Sequence, residues 1–309
     1  MASRWRGQRG RLEVWYTTFT DPDSGTGVWL HHELVAPRDG RTAYAHGWAA
    51  VFPKVGEPVF SRFGPTDWHP TEDADFLAGS VRVNAGNLSG ETPDISWDLR
   101  SSNGGEPLFT FPRWAWKREL LPAAQVVPAP TATYEGTIRY GAQQLTITAA
   151  PGCTARIYGH GNARRWAWLH AELGGGDVLE VVAAVSTRPG LRNLRPLPMV
   201  RLRLDGVDYP GGDTLLAARR LHADIRLPTW QVHGRIGRHQ LDVVVTQPPN
   251  RTITVPYLNP DGSRAICRNS ELADAEITWR SLDGKTLRRW HLKETAHAEV
   301  GDRQDVGQP

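Results

Sequence analysis

The feature that most limits what this chain can fold into is an alternation with period two that recurs along almost its whole length. RLEVWYTTFT (11–20), GVWLHHELVA (27–36), TAYAHGWAAVF (42–52), QQLTITAA (143–150), DVLEVVAAVS (177–186), MVRLRLDG (199–206) and HQLDVVVTQ (239–247) all read as strands. In extended backbone successive side chains point to opposite faces, so alternation suits a half-buried sheet. Turn signals separate the runs: Asp21-Pro22-Asp23-Ser24-Gly25, Pro37-Arg38-Asp39-Gly40, Gly174-Gly175-Gly176-Asp177, Asn259-Pro260-Asp261-Gly262 and Asp283-Gly284. With 31 Gly and 23 Pro, little chain remains for helices. The short candidates are Trp114–Leu121 and Thr214–Leu221, the second of which also reads as a strand. Strands at this spacing without alternating helices predict an all-β sandwich or barrel.

The runs contain an internal echo. Trp-Leu-His-x-Glu-Leu occurs at Trp29–Leu34 and again at Trp168–Leu173, an offset of 139. AYAHGWAAVF follows the first copy much as DVLEVVAAVS follows the second. Trp97 in DISWDLR has a counterpart in Trp230 of LPTWQVHG, at an offset of 133. Three landmarks in one order at nearly one offset predict two related halves, joined near 150–156. The expected domains are therefore 1–155 and 156–309, the second ending in a short disordered tail.

Composition sets the remaining bounds. A chain of 309 residues with 39% hydrophobic and 22% charged residues can bury two cores. No run of 18 apolar residues exists, and the Arg-containing N-terminus lacks an apolar segment, so neither a transmembrane helix nor a secretory signal is expected. The net charge of +3 is dispersed, and the nearest clusters, Arg164-Arg165 and Arg219-Arg220, are only pairs, which argues against a nucleic-acid surface. Two isolated cysteines, Cys153 and Cys267, suit a reducing compartment, and a cytoplasmic protein is the expectation. The 13 Trp exceed the 7 Tyr and 7 Phe, which suggests aromatic-lined surfaces as well as core packing. Other signatures are missing: Gly159-His160-Gly161 lacks a third glycine, Asp283-Gly284-Lys285-Thr286 has no upstream glycine, and no Gly-x-Ser-x-Gly or His-x-x-x-His spacing occurs. No metal site is expected.

Several segments, LEVWYTTFTDPDSGTGVWLHHELVAP, YGHGNARRWAWLHAEL, YLNPDGSRAICRNSELAD and HAEVGDR, resemble the AttH-like, lipocalin-type family. That family includes carotenoid hydratases (hydroxyneurosporene synthase), tocopherol cyclases and decalin-forming Diels–Alderases. The resemblance implies two lipocalin-like β domains side by side, a pocket inside a barrel or at the domain junction, and no metal or organic cofactor. Members run different chemistries on this scaffold, so the fold does not name the reaction.

Strand parity then nominates residues. Trp166, Trp168, His170 and Glu172 share one face of their run, with Ala167, Leu169, Ala171 and Leu173 on the other. Trp29, His31 and Glu33 repeat the arrangement. One reading places these residues on a half-solvated outer face; the other turns them into a pocket where tryptophans hold an apolar substrate and a Glu or His moves a proton. A carboxyl in an aromatic pocket has its charged form desolvated, which raises its pKa and makes it a usable acid. Aromatic faces stabilise cationic character. The second copy is the favoured site, because His160, Asn162 and Arg165 crowd just before it, and the first copy is expected to be scaffold. The family pattern adds Asn269 and Glu271, whose alternative is a solvated turn, and the last strand adds His297 and Glu299, whose alternative is a structural bond. Candidate catalytic residues are thus His170, Glu172 and Glu271. Candidate binding residues are Trp48, His160, Asn162, Arg165, Trp166, Trp168, Asn269, His297 and Glu299. The expected function is a cofactor-independent cyclase or hydratase, with cycloaddition included, acting on a hydrophobic polyene, isoprenoid or polyketide. The alternative is a non-catalytic carrier of such a molecule.

Overall fold

A computed structural model describes residues 3–71, 74–84, 86–102, 104–119 and 121–304. Strands take up 63% of it and helix 5%, so the protein is all-β. The expected C-terminal tail, 305–309, lies outside the described residues. The chain divides into two compact units. The first comprises 1–107, 123–161 and 258–263; the second comprises 108–122, 162–257 and 264–309.

In the first unit the strands are β1 (Arg11–Asp21), β2 (Thr26–Ala36), β3 (Tyr44–Phe52), β4 (Val59–Asp67), β5 (Phe76–Ala78), β6 (Val81–Asn84), β7 (Asn87–Glu91), β8 (Ile95–Ser102), β9 (Ala123–Tyr140) and β10 (Gln143–Gly159). They form one sheet in the order β4-β3-β2-β1-β10-β9-β8-β7-β6-β5. Phe63 and Phe76, from the two end strands, bring their rings to 6.2 Å, so the sheet curls round a single core. That core holds Trp15, Leu30, Leu34, Phe63, Trp97 and Tyr134. The β1–β2 turn is made by Asp21, whose Oδ2 accepts from Ser24 N and Ser24 Oγ at 3.0 and 2.6 Å. Gly25 then takes a left-handed φ of 66° that closes the hairpin.

In the second unit the strands are β11 (Arg165–Gly174), β12 (Asp177–Val185), β13 (Leu197–Leu204), β14 (Val207–Tyr209), β15 (Leu221–Asp224), β16 (Thr229–Ile236), β17 (His239–Thr246), β18 (Ile253–Leu258), β19 (Arg264–Ser281) and β20 (Thr286–Arg303). Their order is β14-β13-β12-β11-β20-β19-β17-β16-β15, with β18 pairing off this path to β19. The core gathers Leu169, Val181, Leu202, Trp230, Val243 and Trp279. The two helical candidates form as short helices, α1 (Arg113–Arg118) and α2 (Thr214–Ala218). Asp213 caps α2 by accepting from Leu215 N, and Leu221 opens β15 instead of extending the helix.

The duplicated motif occupies equivalent strands. β2 lies third in its path and β11 fourth in its own, each flanked by the strand that follows it in sequence, β3 or β12. Trp97 on β8 and Trp230 on β16 also correspond, each two strands beyond the long strand, β10 or β19. On its other side β2 meets the N-terminal β1, whereas β11 meets the C-terminal β20. The second unit therefore fills with the end of the chain the place that the first fills with its beginning.

Candidate functional site

The aliphatic face of β11, with Ala167, Leu169 and Ala171, enters the core of the second unit. Its other face is buried as well: Trp166, Trp168 and His170 are at most 7% exposed, and only Glu172 is half-buried. The half-solvated reading of this face therefore fails. Directly paired residues share a face, so register gathers the rest of the cluster. Glu180 lies opposite His170 on β12, while His297 and Glu299 lie opposite His170 and Trp168 on β20. β19 adds Asn269, opposite Glu299.

Glu271 reaches this face through a β-bulge. In β19, Asn269 and Glu271 share the parity of Ala273, Ala275 and Ile277, yet those three point into the core. The ladder shifts register between Ser270 and Ala273, where β20 spans only Ala298 to Ala296. One extra residue flips the faces and aims Glu271 at His297.

The cluster is closely bonded. Glu180 accepts from Trp168 Nε1 at 2.6 Å and from His170 Nδ1 at 2.8 Å. The His170 and His297 rings stack with centroids 6.0 Å apart. Glu299 accepts from Trp166 Nε1 at 2.6 Å and from Cys267 Sγ at 3.3 Å. Glu271 Oε2 stands 2.6 Å from His297 Nδ1, in contact but out of line for a well-formed hydrogen bond. His170 Nε2 and Asn269 Oδ1 are among the buried polar atoms here that make no hydrogen bond among the described residues. Such atoms are costly unless a ligand or water meets them.

Burial sets the protonation states. Desolvation pushes the Glu271 carboxyl well above its ordinary range, against the opposing pull of the Asn269 amide and the His170 imidazole. Desolvation lowers His297 to about 3, although the Glu180 charge opposes it. Glu172 is raised to about 7 by desolvation, with His170 pulling it down. Burial therefore favours the neutral form of both Glu271 and His297.

The first copy of the motif builds a cluster of opposite polarity. Glu33 Oε1 is 3.0 Å from His31 Nε2, and Glu33 Oε2 is 3.0 Å from His46 Nε2, all three buried. Desolvation raises Glu33, but the two imidazoles outweigh it and lower the carboxyl to about 2. Trp48 lies opposite His31 on β3, with ring centroids 5.7 Å apart, and Tyr16 stacks on His31 from β1 at 6.3 Å. Gln125 Nε2 donates to the Tyr16 hydroxyl at 2.6 Å. The first copy thus carries a buried ionisable network of its own.

The remaining candidates have other partners. Trp48 belongs to the cluster of the first unit. His160 is exposed and meets Arg11 Nη1 at 2.9 Å, also in the first unit. Arg165 is exposed, on the face of β11 opposite Trp166, and its Nε donates to Asp302 Oδ1 at 2.5 Å. Asn162 gives its backbone carbonyl to Arg303 Nη1 at 3.2 Å. Among the described residues, no group of three His, Cys, Asp or Glu side chains is arranged to hold a metal ion.

Sequence reading missed Glu180, His46 and the ionised role of Glu33. A signal for Glu180 existed. The Gly174–Asp177 turn folds β11 onto β12 and sets His170 opposite Glu180, the one glutamate in DVLEVVAAV. No such short turn joins β2 to β3, so nothing local pairs Glu33 with His46.

Comparison with known proteins places these features. Two proteins from Mycobacterium tuberculosis, uncharacterized proteins Rv0493c (strain H37Rv) and MT0513 (strain CDC 1551), are each 48% identical over 301 residues, covering 97% of this chain and 89% of their own. Among solved structures, an AttH-type protein from Nitrosomonas europaea matches with a TM-score of 0.54 at 11% identity, over 94% of this chain and 92% of its own. Kievitone hydratase from Nectria haematococca matches with a TM-score of 0.56 at 12% identity, over 94% and 88%. At those identities the structural matches establish the lipocalin-like fold alone. The tocopherol cyclase-like family model matches residues 77–302, and the chain belongs to that family.

Proposed function

We propose that the protein is a cofactor-independent cyclase or hydratase in which Glu271 protonates an alkene of a hydrophobic small molecule. The observation that carries this reading is a fully buried carboxyl, aimed by a bulge into a cluster of imidazoles and indoles and held protonated by desolvation. The Glu271 O–H bond breaks as a C–H bond forms, leaving a carboxylate and a substrate carbocation. Indole faces such as Trp168 stabilise that cation. Water then adds (hydration), or a hydroxyl of the same substrate adds (cyclisation). The proton released by that oxygen returns to Glu271, with neutral His297 placed to relay it. His170 Nε2 and Asn269 Oδ1 are placed to hydrogen-bond the adding oxygen and orient it. Glu172 is a second acid close to its midpoint at neutral pH.

Two names support the substrate class: the family is described as tocopherol cyclase-like, and a structural relative is a hydratase. A prenylated phenol carries both the alkene and the hydroxyl that such chemistry joins. Cys153 and Cys267 are buried and not joined in a disulfide, which suits a cytoplasmic setting.

The test is turnover of prenylated phenols in D2O, read by mass spectrometry. One non-exchangeable deuterium in a cyclised or hydrated product, lost in Glu271→Gln, is the expected result. Product formed equally by Glu271→Gln removes Glu271 as the acid. Quenching of Trp fluorescence without any product from the wild type assigns the protein to the carriers.

A further inference from the structure

At the N-terminal end of β11, the second unit has a cleft of about 650 Å³ that shares no residue with the Glu271 cluster. Arg164, Arg165, Arg192 and Arg303 line it, with Asp302 as the one acid. One wall is the loop between β12 and β13, residues 186–196. From Val181 to Leu204 the chain has five arginines and no acidic residue. Arg188, Arg192 and Arg195 on the loop are exposed, and between them Leu191 and Leu194 are 43% and 57% exposed. Pro189-Gly190, with Gly190 at a φ of 82°, turns the chain just before these leucines.

Arginine and leucine side by side at a loop tip ask for a ligand with two characters. Guanidinium groups bind phosphate oxygens bidentately. Exposed leucines gain nothing from a small anion in water, but they do gain from the acyl boundary just beneath a layer of head groups. A soluble phosphate satisfies the cleft and leaves the leucines unexplained. A surface presenting phosphodiesters above hydrocarbon satisfies both, and the charges are complementary.

We infer that the 186–196 loop and the adjoining arginine cleft are a docking surface for an anionic lipid bilayer. The arginines engage phosphodiester head groups, and Leu191 and Leu194 enter the acyl boundary. No helix of the described residues is long and apolar enough to cross a membrane, so the contact is peripheral as far as helices are concerned. The inference is independent of the reaction proposed above, because it concerns where the protein sits and not what Glu271 does.

Vesicle co-sedimentation of the full chain tests it, comparing phosphatidylcholine alone with phosphatidylcholine containing phosphatidylglycerol. Binding should favour the anionic vesicles by about tenfold or more and weaken as salt rises. Arg192→Glu with Arg195→Glu should lose that binding, and Leu191→Ser with Leu194→Ser should weaken it about tenfold, both with unchanged Tm. Arg289→Glu, exposed elsewhere on the second unit, should bind as the wild type does. Equal binding to both vesicle types overturns the inference, as does an equal loss in Arg289→Glu. Full vesicle binding by the leucine variant, displaced by inorganic phosphate, also overturns it and identifies a site for free anions. Because the readout is binding, these results are separate from any loss of turnover in Glu271 variants.

Discussion

Glu271 Oε2 and His297 Nδ1 meet at 2.6 Å across neighbouring strands, with burial favouring the neutral form of each. The forms that burial favours are thus a proton donor in contact with a proton acceptor. The alternative, two opposite charges in a dry site, would need further hydrogen bonds to offset the desolvation of each.

The first prediction concerns this pair. Glu271→Gln keeps the shape of the side chain and removes the proton, so kcat should fall by about 10²- to 10⁴-fold, with KM changed little. The wild-type rate should decline on the alkaline side as the raised carboxyl finally ionises. Steady-state kinetics across pH, with Tm measured in parallel, checks both. A variant that retains the wild-type rate and alkaline limb would exclude Glu271 as the acid.

Glu172 gives a stability signature. Its carboxyl is raised from 4.5 to about 7 in the folded protein. A group raised in this way contributes fully below the unfolded value and loses its contribution as pH climbs through the folded one. Glu172→Gln should therefore match the wild type near pH 4 and exceed it above pH 7. The gain should be on the order of 2 kcal/mol, below what the full shift implies because the side chain is partly open to solvent. Urea denaturation at both pH values is the measurement, and a gain that is equal at both would contradict the assignment.

The sign reverses at Glu33, which is lowered from 4.5 to about 2. Its stabilisation is present above the unfolded value and disappears as pH falls through the folded one. Glu33→Gln should cost about 3 kcal/mol at pH 7, because it breaks a buried network. That deficit should shrink between pH 4.5 and 2. A deficit independent of pH over that window would point to packing alone.

Gly301 makes room for Trp166. A Cβ at this position would lie 2.0 Å from Trp166 Cζ2, on the directly paired strand. Gly301→Ala must displace the indole and with it the hydrogen bond to Glu299, at a cost of about 1–3 kcal/mol. Chemical denaturation should show the loss, and near-UV circular dichroism should show an altered tryptophan environment. Wild-type stability and spectrum together would mean that Trp166 is not held by this contact.

Much of this was legible in the chain. Each of the seven period-two runs falls on a strand, although QQLTITAA is only the start of β10, which runs to Gly159. The assignment of Trp166, Trp168 and His170 to one face of β11 also holds, because parity is a local property of extended backbone. Asn269, Glu271, His297 and Glu299 lie on that same face. Of the residues chosen for nearness in sequence, Arg165 takes the opposite face of β11 and His160 belongs to the first unit, where it meets Arg11, since a turn or a change of face separates neighbours as readily as it joins them.

Alternation and turn chemistry, which act within a few residues, were enough for the sequence by itself to determine an all-β chain, the two faces of its strands and the duplicated motif at their centre. Only the tertiary structure decided which charges meet. Pairing β11 with β20 joins residues more than a hundred positions apart, and the bulge in β19 leaves Glu271 on the face of Asn269 while Ala273, Ala275 and Ile277 turn into the core. The same motif therefore holds a carboxyl lowered between His31 and His46 in one unit and stands beside a Glu271 raised by burial in the other. Register and desolvation, which arise only when distant strands pack, make that difference.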